Sequence, residues 1–294
     1  MFLQNAALVC GEVQRDWIEV KCQITGQAHI AYRQQRRRIS EVEPFVYEDG
    51  DSVTLQFQIG EVQSEMLASD PDFLVLSYTR TMTAFMLFNS EPKRIAVIGL
   101  GGGSMPKWCY RQLPAADITV IEINPKVVAL RDPFYIPVDD DRFRVICGDG
   151  ADYIAQTSES LEVLLVDGFD IRGQPPQLCS PEFYDDCYRA LAPDGVLVVN
   201  LCGLEDRRSI ERIRRSFDDR VLVVIPEDGE NKIVFAIKGE RLWIRDEPTS
   251  ELVDKLRSRH APYLIKSCQS SVPGTCLDRS VRRHAPCAIE AQAQ

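Results

Sequence analysis

The sequence predicts a doubly wound α/β fold: a mainly parallel seven-stranded sheet, preceded by a small N-terminal β domain. Three observations lead there. From Arg94 onward, short apolar runs alternate with helix-like segments. The first run, RIAVI, leads into four glycines within the five residues 99–103, and the next, DITVIE, ends in the acid Glu122. Two later runs, RVLVVI and KIVFAIK, are separated only by the turn-rich PEDGEN and read as a closing hairpin.

Residues 41–65 alternate apolar and polar side chains around Asp49-Gly50 and Gly60, which predicts a few antiparallel strands. A helix is expected to begin at Asp70-Pro71, with Asp70 as cap and Pro71 in the first turn, and to be apolar on most faces over 74–88. Parallel strands follow at about 94–98, 117–122, 143–147, 162–166 and 195–201. Between them lie helical segments near 104–113, 125–131, 150–156 and 181–192, the last capped by Ser180 with Pro181 at its first position. A charged helix near 205–217 precedes the strands 220–225 and 232–238. Five parallel strands closed by a hairpin fit a methyltransferase-like sheet better than the six parallel strands of a dehydrogenase. The expected divisions are an N-terminal arm (1–40), a β domain with its connecting helix (41–90), the sheet domain (91–264) and a flexible tail (265–294). The basic run of residues 34–38 reads as a solvated face.

Composition narrows the function. Forty-four acidic against 34 basic residues give a net charge of -10, which disfavours a nucleic-acid partner and favours cationic ligands. The ten cysteines never form a C-x-x-C pair, so neither a metal site nor a disulfide scaffold is expected, and a reducing cytoplasm is. No apolar run approaches the roughly 18 residues of a membrane span, and a signal-peptide layout is absent.

The chemistry-bearing residues stand at the strand ends, where open α/β sheets bind ligands. Gly99, Gly101, Gly102 and Gly103 allow a tight turn with backbone N–H groups close to a ligand, and Glu122 is placed to meet two vicinal ribose hydroxyls. Asp149 and Gly150, in CGDG, follow the third strand; the carboxylate suits an adenine amino group, or only caps the next helix. Asp167 ends the strongly apolar LEVLLV, where a carboxylate needs a cleft or a ligand. Asp170 lines the same loop, or only stabilises a turn.

In order and spacing, IGLGGGS, VIEIN, CGDG, VDGFD and SPEFYDDCYRALAPDGVLVVN resemble the polyamine aminopropyltransferases, the spermidine synthase family, over about Val53 to Gly239. The resemblance implies a class I AdoMet-type sheet holding decarboxylated S-adenosylmethionine, with no metal, beneath an N-terminal β domain. It makes Glu122 the ribose ligand, Asp149 the adenine ligand, Asp167 the catalytic aspartate and Asp170 a lining of the amine channel. Gln63, in Gly60-Glu61-Val62-Gln63, and Tyr78 match the family's substrate-binding glutamine and tyrosine; as plain core or edge residues they would need no ligand. A small amine substrate and a homodimer are also implied. Three departures stand out: Gly102 replaces the glycine-loop aspartate that grips the aminopropyl ammonium, Asp167-Gly168-Phe169-Asp170-Ile171 lacks the family's hydroxyl residues and proline, and Arg80 lies near Tyr78. If Arg80 and Gly102 face the cleft, dications such as putrescine are penalised and a changed acceptor is expected. The competing readings are a methyltransferase or other alkyltransferase using intact S-adenosylmethionine, and a non-catalytic ligand-binding protein.

Overall fold

A computed structural model describes residues 43–170, 173–203, 206–226 and 229–239. The expected N-terminal arm with its basic run, and the expected tail, lie outside the described residues. The described residues open with an antiparallel sheet of β1 (Phe45–Asp49), β2 (Ser52–Gln58) and β3 (Glu61–Leu67). The expected helix at Asp70-Pro71 does not form. Asp70 only closes a turn, its carbonyl accepting from the Phe73 N–H at 3.0 Å. Helix α1 (Ser77–Met82) starts later and tightens into a 3₁₀ turn over Thr83–Leu87. The Arg80 guanidinium explains the delay. It donates to the carbonyls of Leu74 and Val75, occupying acceptors that helical N–H groups would need had the helix begun upstream.

The main sheet runs β6-β5-β4-β7-β8-β10-β9. Its parallel part comprises β4 (Arg94–Ile98), β5 (Asp117–Glu122), β6 (Phe143–Cys147), β7 (Leu161–Val166) and β8 (Leu191–Leu201). Strands β9 (Val221–Val224) and β10 (Lys232–Ile237) close it as the antiparallel hairpin. Helices α2 (Ser104–Gln112), α3 (Pro125–Val128), α4 (Gly150–Gln156), α5 (Pro181–Ala190) and α6 (Asp206–Ser216) connect the strands. The apolar runs reflect burial of both faces. Ile95, Val97, Val163, Leu165, Val196 and Val198 join one core cluster, while their alternating neighbours Ala96, Ile98, Leu164, Val166, Leu197 and Val199 join the other.

The small sheet belongs to the first cluster through Val53, Leu55 and Met66. Lys107 on α2 ties it down further. Its ammonium, buried at 1% exposure, donates to the Phe134 carbonyl at 2.7 Å and contacts the Met66 sulfur at 3.1 Å. Burial pulls its pKa down to about 8. Among the described residues no helix is long and apolar enough to cross a membrane.

Candidate active site

Strand register assembles the site. Ile98 pairs with Ile121 and Val166, and Val166 pairs with Val199. One residue on, Gly99, Glu122, Asp167 and Asn200 therefore lie in a row along the carboxyl ends of four parallel strands. The chain order reverses between β4 and β7, which makes this edge the switch point where such sheets bind ligands. Gly99 is required there. Its φ is +96°, and a Cβ would stand 2.1 Å from the Asp167 carbonyl oxygen.

Above the row opens a cleft of about 580 Å³, within the range of roughly 300–1,000 Å³ typical of small-molecule sites. Nine of the eleven residues singled out in the sequence line it: Gln63, Tyr78, Gly99, Gly101, Glu122, Asp149, Gly150, Asp167 and Asp170. Gly102 and Gly103 do not. A Cβ on Gly102 would meet Phe134 and Ser64 at 2.9 Å, and one on Gly103 would meet Ile136 at 2.4 Å, so both glycines serve packing beneath the loop. The Gly102 N–H donates to the Ser64 hydroxyl at 2.9 Å, latching β3 onto the glycine loop. Arg80, turned toward the Leu74 and Val75 carbonyls, is not in the lining either, which removes the expected repulsion of dications.

Glu122 is 8% exposed and held at both oxygens, Oε2 accepting from the Leu100 N–H at 2.9 Å and Oε1 from the Asn124 N–H at 2.8 Å. Burial raises its pKa, and these backbone bonds oppose the rise. Backbone bonds from Ile123 and Gly101 act in the same direction, so the carboxylate is ringed by main-chain donors at the mouth of the glycine loop. Asp149 does cap α4, accepting from the Ala151 N–H at 2.8 Å, yet it also lines the cleft. Asp170 exchanges backbone bonds with Gly173 and lines the same space.

Asp167 is held by side chains. The Tyr78 hydroxyl donates to Oδ2 at 3.2 Å and the Asn200 amide to Oδ1 at 2.9 Å. Burial pushes the Asp167 carboxyl upward while the two donors pull it back. Burial and the neighbouring Asp167 hold Tyr78 well above its ordinary value, so it stays protonated and donates. A partly desolvated carboxylate restrained by two donors is equipped to take a proton from a nucleophile.

Sequence reasoning missed Glu61, Asn200, Glu230 and Asn231 among the lining residues. With Glu61 and Glu230 the lining carries six carboxylates (Glu61, Glu122, Asp149, Asp167, Asp170, Glu230) and, among the described residues, no Lys, Arg or His. Asn200 had one available signal, as a polar residue inside the apolar GVLVVNL.

The model of the spermine/spermidine synthase domain matches residues 75–244. The chain belongs to that family. A polyamine aminopropyltransferase of Chromobacterium violaceum is 36% identical over 233 residues, covering 78% of this chain and 89% of the relative. One from Neisseria meningitidis serogroup A is 37% identical over 218 residues, 73% of this chain and 80% of the relative. The crystal structure of spermidine synthase from Thermotoga maritima superposes with a TM-score of 0.61 at 21% identity, over 80% of this chain and 82% of that one, a likeness of fold. Family membership and the seven-stranded sheet with its N-terminal antiparallel sheet thus agree with the sequence reading.

Proposed function

We infer that the chain is a polyamine aminopropyltransferase, moving an aminopropyl group from decarboxylated S-adenosylmethionine to a diamine such as putrescine. The observation that carries this reading is the charge of the cleft, since among the described residues every charged side chain lining it is a carboxylate. A unit charge about 6 Å from an opposite one gains on the order of 2–3 kcal/mol at an effective dielectric near 20, so six acids favour a sulfonium donor and an ammonium acceptor together.

The donor's sulfonium makes its adjacent methylene electrophilic, so that a neutral amine forms the new C–N bond as the C–S bond breaks and methylthioadenosine leaves. The protein's part is positioning and proton removal. Glu122 takes the ribose hydroxyls and Asp149 the adenine amino group, while Gly99 and Gly101 let the nucleoside approach the loop. Asp170, Gln63 and Tyr78 hold the acceptor chain, with Glu61 and Glu230 adding negative charge at the rim. Asp167 attracts the ammonium form, strips part of its hydration and accepts the proton that must leave before the lone pair can attack.

The deciding experiment offers the purified protein decarboxylated S-adenosylmethionine with putrescine and, separately, the intact sulfonium. Methylthioadenosine together with a triamine is the expected result. S-adenosylhomocysteine from the intact donor alone would establish an alkyltransferase of another kind, and no turnover with either would leave a binding protein.

A further inference from the structure

Asn200 is 2% exposed at the end of the apolar run Val196–Leu201, so both ends of its amide need partners. Both have them. Its Nδ2 donates to Asp167 Oδ1 at 2.9 Å, and its Oδ1 accepts from Asn231 Nδ2 at 2.8 Å. Asn231 sits at the foot of the hairpin, one residue before the Lys232–Leu201 pair that ends the β10–β8 ladder. The direction of this chain follows from chemistry. An ionised carboxylate only accepts, so Asn200 must turn its NH₂ toward Asp167, and its carbonyl then needs an N–H from Asn231.

We propose that Asn200 and Asn231 are positioning residues for proton transfer: Asn200 orients the Asp167 carboxylate and favours its ionised form, and Asn231 does so at one remove by fixing which way the Asn200 amide faces. Without Asn231 the amide is free to rotate. Each turn that brings its oxygen to Asp167 Oδ1 sets two acceptors against each other unless the acid is protonated and donates, so the ionised form is favoured less. Among the described residues, none of the other groups lining the cleft near Asp167 offsets that change. Tyr78 from α1 holds the other oxygen, Cys202 lies just beyond β8, and Asp170, Glu122, Asp149 and Glu230 add only negative charge from the surrounding loops and strand ends. The relay thus opposes both burial and the acidic wall, the two influences that would otherwise protonate the base.

The kinetic arm of the test rests on the aminopropyl-transfer reading; the titration arm does not. Asn200→Leu, Asn231→Leu and the double variant are prepared with ¹³C-carboxyl-labelled aspartate, and Asp167 is followed by NMR in the ligand-free protein, its signal identified by loss in Asp167→Asn. Asn231→Leu is expected to move the Asp167 midpoint upward by about one pH unit, the scale of losing one favourable partner of a charged group. If Asn231 acts only through Asn200, the double variant moves no further than Asn200→Leu. Turnover of Asn231→Leu should fall about tenfold at a pH below the shifted midpoint and recover at alkaline pH, with the donor KM unchanged, and Asn231→Gln, which keeps the donor, should restore it. Unchanged signals from the other aspartates verify the fold. An unmoved midpoint in Asn231→Leu, or additive shifts in the double variant, overturns the proposal. Shifted midpoints in a protein that transfers no aminopropyl group would instead overturn the functional reading and leave the relay standing.

Discussion

The two ends of the cleft hold their acids by different means. At the proposed nucleoside end the backbone does it: Glu122 takes the N–H groups of Leu100 and Asn124, and Asp149 that of Ala151. At the proposed reacting end Asp167 depends on two side chains, Tyr78 and Asn200, from separate elements. Backbone donors remain when neighbouring side chains change, so the nucleoside end is fixed by the fold itself. Side-chain donors come and go with single substitutions, which leaves the base open to adjustment without disturbing donor binding.

The largest effect should come from Asp167→Asn, which keeps the volume and removes the base. Turnover is expected to fall by roughly 10²–10⁴ with methylthioadenosine affinity nearly retained. A loss of affinity as large as the loss of turnover would erase the distinction between the two ends. The same variant should be more stable at neutral pH. Burial raises the Asp167 pKa above its unfolded value, so the stability linked to this group is fully present below the unfolded pKa and lost as pH rises through the folded one. Removing the carboxyl abolishes that loss, and thermal melts should show a gain at pH 7 that vanishes below about pH 4.

Glu122→Gln comes next. One backbone N–H then faces an amide NH₂ and a charge-assisted ribose contact is gone, so methylthioadenosine should bind about 1–3 kcal/mol more weakly by calorimetry, with the proton-transfer pH profile unmoved. Unchanged affinity would show that this carboxylate does not hold the nucleoside. Tyr78→Phe should act on the other end alone. With one donor gone, Asp167 titrates higher, so the acid limb of the rate profile moves to higher pH and turnover falls by about tenfold near neutrality. An unshifted limb would mean that the hydroxyl does not support the carboxylate.

The smallest functional effect belongs to Arg80. Because its guanidinium serves the Leu74 and Val75 carbonyls, Arg80→Met should leave the diamine KM within about twofold while lowering the melting temperature. A markedly tighter acceptor would place this charge in the cleft after all. Gly102→Asp, for its part, should destabilise the protein and create no new amine site, since its Cβ would press on Phe134 and Ser64.

The legible parts of the molecule were those governed by local pattern. The doubly buried strands read as continuous apolar runs, and the acids at their tips stood out because burial tolerates so few charges there. What escaped depended on contacts distant in sequence. The late start of α1 follows from the Arg80 side chain folding back on its own approach segment, which no cap pattern records. Gly102 and Gly103 belong to a glycine motif, but only the positions of Ser64, Phe134 and Ile136 reveal that they face packing partners. Asn231 is one more polar residue in a turn until the β10–β8 pairing carries it to Asn200, and Glu230 is hidden in the same turn.

The acidic lining also bears on how turnover ends. Once the sulfonium has become a neutral thioether, the nucleoside product no longer feels the attraction of the wall, whereas the lengthened amine carries more positive charge than the one that entered. The two products are therefore held unequally. Methylthioadenosine departs with only its hydrogen bonds to break, while the polyamine leaves against the field of six carboxylates. Its escape quickens with ionic strength as the field is screened, and its accumulation restrains the next cycle, a feedback written into the charge of the cleft.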